Sequence, residues 1–515
     1  MRHRLIAPAA AAAVLLLAVP AAAAQPSPGA PGVGDPYYPT YGNGGYDVSH
    51  YDLRLRYRPK NDRLSGTATL LATATKDLSR FNLDFALDVR RVRVNGHRAE
   101  VAASGAHELE ITPARPLEKG ERATIVVRYA GTPSKVKVNG YTSWHRTPDG
   151  GFAANEPESA WWWFPSNDHP TDKATYDMSV AVPDGTEAIG NGTLEGKRSV
   201  AGWTRWSWRS RKPQATYLAT LAVGQYDITT HRTASGLPML NAYSLGLGED
   251  EGAARASLER TGEITEWLER RFGPYPFEAV GGYVPDTDAG YALETQTRPF
   301  YSPHFFDEGA NTYVVTHEMA HQWYGDNVSV QQWDDIWLNE GPASYAEWLW
   351  SEHVGEGTAE ELAAYAYASI PADDDFWAVA PGDPGAENQF HSAVYTRGAM
   401  ALQALRTRIG DRDFFAVLKG WQQRYGGRDA SVGGGGGPPP GGGGPPPPRR
   451  GGAQAGKPPT PPRRPPAAPP PPPPPPPPAG RPPPPPAAPP PPAAAWGAGP
   501  SSTAPALPRS AWSAR

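Results

Sequence analysis

Two histidines spaced four residues apart, His317 and His321, constrain this chain more than any other feature of its sequence. On a helix that spacing places both side chains on one face, with their Cβ atoms about 5–6 Å apart. Two imidazoles at that distance can bind one zinc ion, and the neighbouring Glu318 points into the same space. The stretch 314–321 therefore predicts a metal-binding helix.

A catalytic zinc needs a third protein ligand and one open position for water. Glu340 can supply that ligand, because the eighteen residues between it and His321 allow one helix to end and another to return. Pro342 is tolerated in the first turn of a helix, where its missing N–H would have no partner. We therefore expect a second helix to begin near Leu338 or Asn339, with Glu340 in its first turn.

Two further acids follow the histidines along the chain. Asp326 and Glu347 are candidates to orient the imidazoles from behind the metal. Each could equally be a solvated acid on a helix surface, so both interpretations stay open.

The pattern of HExxH, eighteen residues and Glu resembles the gluzincin zinc aminopeptidases, the aminopeptidase N-like metallopeptidases. The resemblance covers roughly residues 46–425. It implies an α+β multidomain fold, in which an N-terminal all-β sheet domain precedes a thermolysin-like, mainly helical catalytic domain that binds one Zn²⁺ per chain. It also implies that Glu318 takes a proton from the zinc-activated water, while the metal is held by His317, His321 and Glu340.

The resemblance extends to three more site residues. Where the family carries G-A-M-E-N, this chain has Tyr-Ala-Leu-Glu-Thr at 291–295, which keeps the Ala and the Glu and places the acid at Glu294. Glu156 stands eight residues before Phe164, where the family has a Gln or Glu. Tyr395 matches the Tyr of a Tyr-x-Lys/Arg-Gly segment. By this resemblance Glu294 and Glu156 bind the free α-ammonium of the substrate, and the Tyr395 phenol stabilises the oxyanion.

Simpler interpretations exist for these positions. Glu294 could be an exposed loop acid, and Tyr395 could serve only packing. The run Trp161-Trp162-Trp163 is expected to fill the core or a domain interface, and a ligand platform is the alternative.

The chain divides by composition and periodicity. Residues 1–24 have two Arg before an apolar run and an A-x-A site, which is typical of a secretory signal peptide removed near Ala24. A Gly/Pro linker is expected at 25–45, the β domain at 46–246 and the catalytic domain at 247–427. Within the β domain, Asn95-Gly96, Asn139-Gly140 and Asn191-Gly192 are predicted hairpin turns.

Residues 428–515 are expected to form a disordered, low-complexity tail, because 35 of the 62 prolines lie after residue 430. This tail could contact a cell wall or make non-specific contacts. An abrupt change to Gly, Pro, Ala and Arg is also what a frameshift in a GC-rich gene would produce. Before it, the apolar face that includes Phe414, Val417 and Leu418 needs covering by other residues.

The remaining composition narrows the function. The net charge is −5, and ten of the 48 basic residues lie in the predicted signal peptide or after residue 430, so the part expected to fold is strongly acidic. That charge argues against nucleic acid as a partner. The chain has no cysteine and no predicted transmembrane segment. We expect a secreted zinc metalloaminopeptidase acting on peptides with a free N-terminus. The alternatives are a thermolysin-type endopeptidase and a truncated, non-catalytic secreted protein.

Overall fold

The computed structural model describes residues 25–138 and 140–433. The predicted signal peptide, Asn139 of one predicted turn, and the predicted tail from residue 434 onward lie outside the described residues. Within those two ranges, none of the helices combines the length and the apolar character of a membrane span.

The N-terminal half is built from strands, as the sequence predicts. Residues 51, 53, 55 and 57 of the second strand point inward and alternate with more exposed positions. The strands of this half are β1 (Ser27–Pro28), β2 (Tyr46–Arg58), β3 (Arg63–Ala74), β4 (Leu78–Asp84), β5 (Asp88–Val94), β6 (His97–Arg98), β7 (Glu100–Ser104), β8 (Glu108–Thr112), β9 (Arg122–Gly131), β10 (Trp144–Arg146), β11 (Gly151–Ala153), β12 (Ala174–Pro183), β13 (Glu187–Gly190), β14 (Thr193–Val200), β15 (Trp203–Gln214) and β16 (Leu221–Gly224).

These strands form three sheets. The largest has eight strands in the order β14-β15-β12-β2-β3-β9-β5-β6, and two four-stranded sheets have the orders β1-β4-β8-β7 and β10-β11-β16-β13. Trp161, Trp162 and Trp163 are at most 1% exposed and belong to the core of this half. The prediction that the Trp run fills a core is thus confirmed.

Of the predicted hairpin turns, Asn95-Gly96 connects β5 to its antiparallel neighbour β6. The prediction for Asn191-Gly192 is wrong, because β13 and β14 on either side of it belong to different sheets. Asn191 instead donates from Nδ2 to the carbonyls of Leu218 (2.9 Å) and Gln296 (2.7 Å). An Asn-Gly pair permits a tight turn, but it does not determine whether the flanking strands pair with each other.

The C-terminal half combines a five-stranded sheet with helices. Its sheet has the order β17-β18-β19-β21-β20, and its first two strands precede the predicted boundary at residue 247. The elements are β17 (Tyr226–Arg232), β18 (Pro238–Ser244), α1 (Glu251–Leu258), α2 (Thr261–Phe272), β19 (Val280–Val284), β20 (Ala292–Leu293), β21 (Phe300–Tyr301), α3 (Thr312–His321), β22 (Val328–Val330), α4 (Trp337–Val354), α5 (Ala359–Ser369), α6 (Ser392–Ile409), α7 (Asp411–Tyr425) and β23 (Arg428–Ala430).

The N-terminal segment (residues 25–45), for which the sequence predicts a linker, lies against both halves. Its Ser27–Pro28 strand pairs in parallel with β4. Asp35 is buried and accepts a hydrogen bond from the Trp333 main-chain N–H at 2.8 Å. The Tyr37 hydroxyl donates to Asp383 Oδ1 at 2.6 Å. The segment therefore connects the β half to the loops around the helical half.

The last helix, α7, packs part of its apolar face against the core of the C-terminal half. Phe414 and Leu418 are at most 5% exposed and lie in the core of the C-terminal half, whereas Val417 is 51% exposed. The need for covering that the sequence predicts is therefore largely met by the described residues.

Candidate active site

Helix α3 places the two histidines as the spacing predicts. The Asn311 side chain caps the helix by accepting hydrogen bonds from the N–H groups of Tyr313 and Val314. His317 and His321 then lie one turn apart on the same face, with ring centroids 4.8 Å apart. Both imidazoles are buried, at 8% and 1% exposure.

Helix α4 returns to bring Glu340 against both rings. It begins at Trp337, so Glu340 lies in its first turn, as predicted. Glu340 Oε2 is 3.3 Å from His317 Nε2 and 3.4 Å from His321 Nε2. One ligand atom from each of the three residues lies within 4.8 Å of the others, a spacing that suits ligands around one ion.

Helix α6 crosses α4 at a pair of glycines. A Cβ atom placed on Gly398 would lie only 2.8 Å from the Cα of Gly341, so any side chain there would push the helices apart. Gly341 follows Glu340 directly, and Gly398 stands three residues after Tyr395. The close crossing thus sets how near Tyr395 comes to the metal-binding face.

The outer nitrogens of both histidines are occupied. His317 Nδ1 is 2.6 Å from Glu347 Oε1, and His321 Nδ1 is 3.0 Å from the main-chain carbonyl of Tyr324. Glu347 therefore orients His317, which is one of the two roles that the sequence leaves open for this acid. The partner of His321 is the Tyr324 carbonyl rather than the Asp326 side chain, and no sequence pattern indicates this partner.

The electrostatics of the three residues suit a divalent cation. Burial alone would raise the pKa of Glu340, but the two imidazoles lower it to about 2. For His321 the two effects have the opposite sign: burial alone would lower its pKa, but the Glu340 charge raises it to about 9. Glu340 Oε1 has no hydrogen-bond partner in the described part of the chain. Two neutral imidazole nitrogens and one carboxylate are a donor set that zinc accepts. A bound ion would replace the imidazole protons that the Glu340 charge stabilises in its absence.

Glu318 faces the same buried space. It is 3% exposed, and burial raises the pKa of its carboxyl to about 8. Its Oε2 atom accepts no hydrogen bond from any described residue. A buried carboxylate that is close to the metal ligands and has one oxygen without a hydrogen-bond partner in the described residues can serve as a proton acceptor.

Tyr395 lies beside the histidines at the start of α6. Its ring is nearly parallel to that of His317, with centroids 6.2 Å apart. The residue is 6% exposed, and its hydroxyl has no partner among residues 25–138 and 140–433. Burial, followed by the negative charge of Glu340, raises its pKa well above the usual value, so the phenol stays protonated and can donate a hydrogen bond.

Glu294 is buried rather than exposed in a loop. Its Oε1 accepts a hydrogen bond from the Tyr217 hydroxyl at 3.1 Å. Ligand atoms of Glu294, Glu318 and His321 lie within 4.8 Å of one another. The sequence reasoning did not find Tyr217, because it lies in no motif and far from Glu294 along the chain.

Glu156 comes from the β half and meets the same space. It is 2% exposed, and neither carboxylate oxygen has a hydrogen-bond partner within the described residues. Burial first, and then the charges of Glu294, Glu340 and Glu318, raise its pKa well above the usual value. All seven predicted site residues are thus close together, and within the described residues neither Glu156 nor Glu294 pairs with a lysine or an arginine.

The segment after Glu294 is held by the loop 191–192. Gly192 N donates to Thr297 Oγ1 at 2.7 Å, and Arg298 donates to the Gly192 carbonyl at 3.0 Å. Gln322, one residue past α3, donates from Nε2 to the Glu294 carbonyl at 3.0 Å. The two halves of the molecule therefore jointly fix the position of Glu294.

Comparison with known proteins bears on this arrangement. Residues 48–218 match the Peptidase M1 N-terminal domain, and residues 304–432 match the Peptidase family M1 domain. The crystal structure of an M1 zinc metallopeptidase from Deinococcus radiodurans is 32% identical, with a TM-score of 0.70 over 78% of this chain and 91% of that one. The chain belongs to peptidase family M1. The M1 fold and its catalytic zinc thus agree with the α+β architecture and the donor set described above.

Other M1 relatives are longer or carry ligands. Glutamyl aminopeptidase of Sus scrofa is 33% identical over 216 residues, which are 39% of this chain and 22% of that protein. Aminopeptidase N of Haemonchus contortus is 26% identical over 327 residues, 57% of this chain and 33% of that protein. This chain thus spans between a fifth and a third of these two. A variant of the D. radiodurans enzyme bound to a Tyr-Ser-Ala substrate has a TM-score of 0.71, with 92% of it covered.

Proposed function

We propose that this M1 protein is a secreted, zinc-dependent aminopeptidase that removes the N-terminal residue from peptides. One observation carries the proposal: two buried acids, Glu156 and Glu294, lie beside the predicted zinc ligands, and no lysine or arginine of the described residues pairs with either. Secretion rests on the sequence of residues 1–24, which has the pattern of a signal peptide.

The two acids favour a substrate with a free amine. Burial raises the pKa of both carboxyl groups, and neighbouring negative charges raise it further, chiefly that of Glu294 for Glu156 and that of Glu340 for Glu294. A substrate ammonium would relieve this repulsion. An amide in the middle of a peptide has no positive charge to offer. Binding through Glu156 and Glu294 therefore selects the first residue of a peptide and disfavours cleavage further along.

His317, His321 and Glu340 would hold the zinc ion. When bound, zinc lowers the pKa of a water ligand and polarises the carbonyl that is attacked. Glu318 accepts the proton of the attacking water and delivers it to the leaving amine. Tyr395, whose hydroxyl is protonated and free of other partners in the described residues, donates a hydrogen bond to the oxygen that becomes negative.

The test compares a peptide with its N-acetylated form. The full-length protein, loaded with zinc, should hydrolyse a Tyr-Ser-Ala tripeptide and should cleave the acetylated tripeptide on the order of 10² times more slowly or worse, because the acetyl group removes the charge that both acids recognise. A chelator should abolish the activity and added zinc should restore it.

Each contrary result has a distinct meaning. Equal cleavage of both peptides, or cleavage within a longer blocked peptide, would make the protein an endopeptidase. A zinc-loaded protein that cleaves neither peptide would contradict the enzymatic proposal as a whole.

A further inference from the structure

A second group of potential metal ligands lies in the β half. It is formed by Asp84 at the end of β4 and by His107 and Glu108 at the start of β8. One ligand atom from each lies within 4.8 Å of the others. None of these residues belongs to the active site, and the proposed peptidase activity does not use them.

The two carboxylate oxygens of Asp84 have different surroundings. Its Oδ2 accepts hydrogen bonds from Asn43 Nδ2 at 3.0 Å and from the Asp168 N–H at 2.8 Å. Its Oδ1 accepts no hydrogen bond within the described residues and lies 3.7 Å from His107 Nε2. Because Asp84 is fully buried, that oxygen has no access to bulk water.

The two carboxylate oxygens of Glu108 differ in the same way. Its Oε2 accepts a hydrogen bond from Asn82 Nδ2 at 2.9 Å, while its Oε1 is 3.9 Å from His107 Nε2. In the part of the chain that the structure describes, Oε1 has no hydrogen-bond partner. Two carboxylates are thus each anchored by one oxygen, and each presents the other oxygen to the same imidazole nitrogen.

His107 is fixed in place by aromatic neighbours. Its ring stacks on Trp161 with centroids 4.9 Å apart and meets the edge of Tyr41 at 5.8 Å. Its Nε2 is also 3.1 Å from the Thr40 carbonyl oxygen. A cation in place of a proton on Nε2 would therefore be close to three oxygens, from Asp84, Glu108 and Thr40.

The described side chains offer this cluster no positive charge. Burial lowers the pKa of His107, so the ring is neutral. Burial also raises the pKa of Glu108 to about 7 and that of Asp84 well above its usual value, so a bound cation would take the place of carboxyl protons. The further ionisable groups that face the two carboxylates are acids, Glu110 and Asp168. Arg80, the nearby base on β4, is paired with Glu110 at 3.0 Å.

The geometry points to a second divalent cation site formed by Asp84, His107 and Glu108, with the Thr40 carbonyl as a further ligand. One imidazole and three oxygens suit a cation of the Zn²⁺ or Mn²⁺ type, since both accept nitrogen together with carboxylate oxygen. Bond lengths near 2.0–2.2 Å around a central ion agree with ligand separations of about 3–4 Å. A cation there would join the N-terminal segment, through Thr40, to β4 and β8.

The test counts metal ions in the zinc-loaded full-length protein. After equilibration with Zn²⁺ and removal of the free ion, we expect two metal equivalents per chain by elemental analysis. In Glu108→Gln, which keeps an oxygen for Asn82 but loses the charge, we expect one equivalent. Glu110→Gln, a substitution at the neighbouring acid on β8, is the matched control and should retain two.

Two outcomes would overturn the proposal: one equivalent in the unaltered protein, or two equivalents in Glu108→Gln. A second measurement avoids reliance on variants that fold poorly. Mn²⁺ added to the metal-depleted protein should lose its free-ion electron paramagnetic resonance signal as it binds, and a crystal of that protein soaked in Mn²⁺ should show an anomalous peak between Asp84 and His107. The absence of a peak at that position would contradict the site.

Discussion

Glu347 Oε1 lies 2.6 Å from His317 Nδ1, while Nε2 of the same ring faces Glu340. The carboxylate accepts the Nδ1 proton and thereby leaves the Nε2 lone pair directed at the proposed zinc position. We predict that Glu347→Gln weakens zinc binding about 10–100-fold. Competition with a chelator measures this, and Glu352→Gln on the same helix, where Glu352 pairs with Arg406, is the control. An unchanged zinc affinity would show that Glu347 serves only to pack the helices.

Glu318→Gln should retain zinc and lose nearly all turnover. The amide keeps the size of the side chain but cannot accept a proton, and the three proposed ligands are unaltered. Zinc content and kcat are measured on the same sample. A variant within tenfold of the unaltered kcat would assign the proton transfer to another group.

Tyr395→Phe should lower kcat by roughly 10²–10³ with little change in KM, as is typical when one donor to an oxyanion is lost. The control is Tyr345→Phe, which should leave kcat unaffected. The Tyr345 hydroxyl donates to Gln403 Oε1 at 2.7 Å instead of facing the site. A change confined to KM would instead make Tyr395 a residue for binding or packing.

Glu294→Ala should raise KM for peptides with a free amine and reduce the preference over acetylated peptides, because a buried ammonium would lose a charged partner. Asp288→Asn provides the control, since Asp288 precedes Glu294 in the chain but pairs with His304 at 2.8 Å. If the preference persists in the Glu294 variant, the amine is recognised elsewhere.

The pH dependence of stability should reveal Lys173. Its Nζ donates to the carbonyls of Asp326 at 2.8 Å and Asn327 at 3.0 Å. Burial lowers its pKa to about 8 from 10.5, although the charges of Asp326 and Asp429 oppose that shift. Between pH 8 and 10 the unfolded chain holds a proton that the folded protein has released. The free energy of unfolding should therefore gain up to about 1.4 kcal/mol per pH unit from this group.

Urea unfolding at several pH values measures this contribution. The gain should disappear in Lys173→Met and remain in Lys60→Met, at an exposed lysine. The difference between the unaltered protein and Lys173→Met should grow with pH above 8. A difference that does not change with pH would show that folding does not lower the pKa of Lys173.

Sequence patterns predicted the parts of this molecule that local geometry determines. The spacing of His317 and His321 fixes their common helix face, and the tolerated position of Pro342 fixes the start of α4 close to Trp337. The alternation in β2 likewise predicts its buried face. In each case the responsible physical constraint acts over a few residues.

The missed features depend on contacts between distant segments. Tyr217 reaches Glu294 across 77 residues, and Tyr37 reaches Asp383 across 346. The Asn191-Gly192 pair suggested a hairpin, yet its side-chain and main-chain donors serve the segment that carries Glu294. No periodicity within one element can reveal such partners, because they are determined by how the two halves pack.

The glycine crossing of α4 and α6 has a consequence for how an enzyme of this kind can diversify. Gly341 and Gly398 bring backbone against backbone, with no side chain between them that could change its rotamer to absorb a displacement. The separation between Glu340 and Tyr395 is thus set by two rigid helices in direct contact. Glu156 and Glu294 lie on segments outside these two helices, so substrate recognition can change without altering this separation. The reactive geometry and the specificity of the protein can therefore evolve as nearly independent traits.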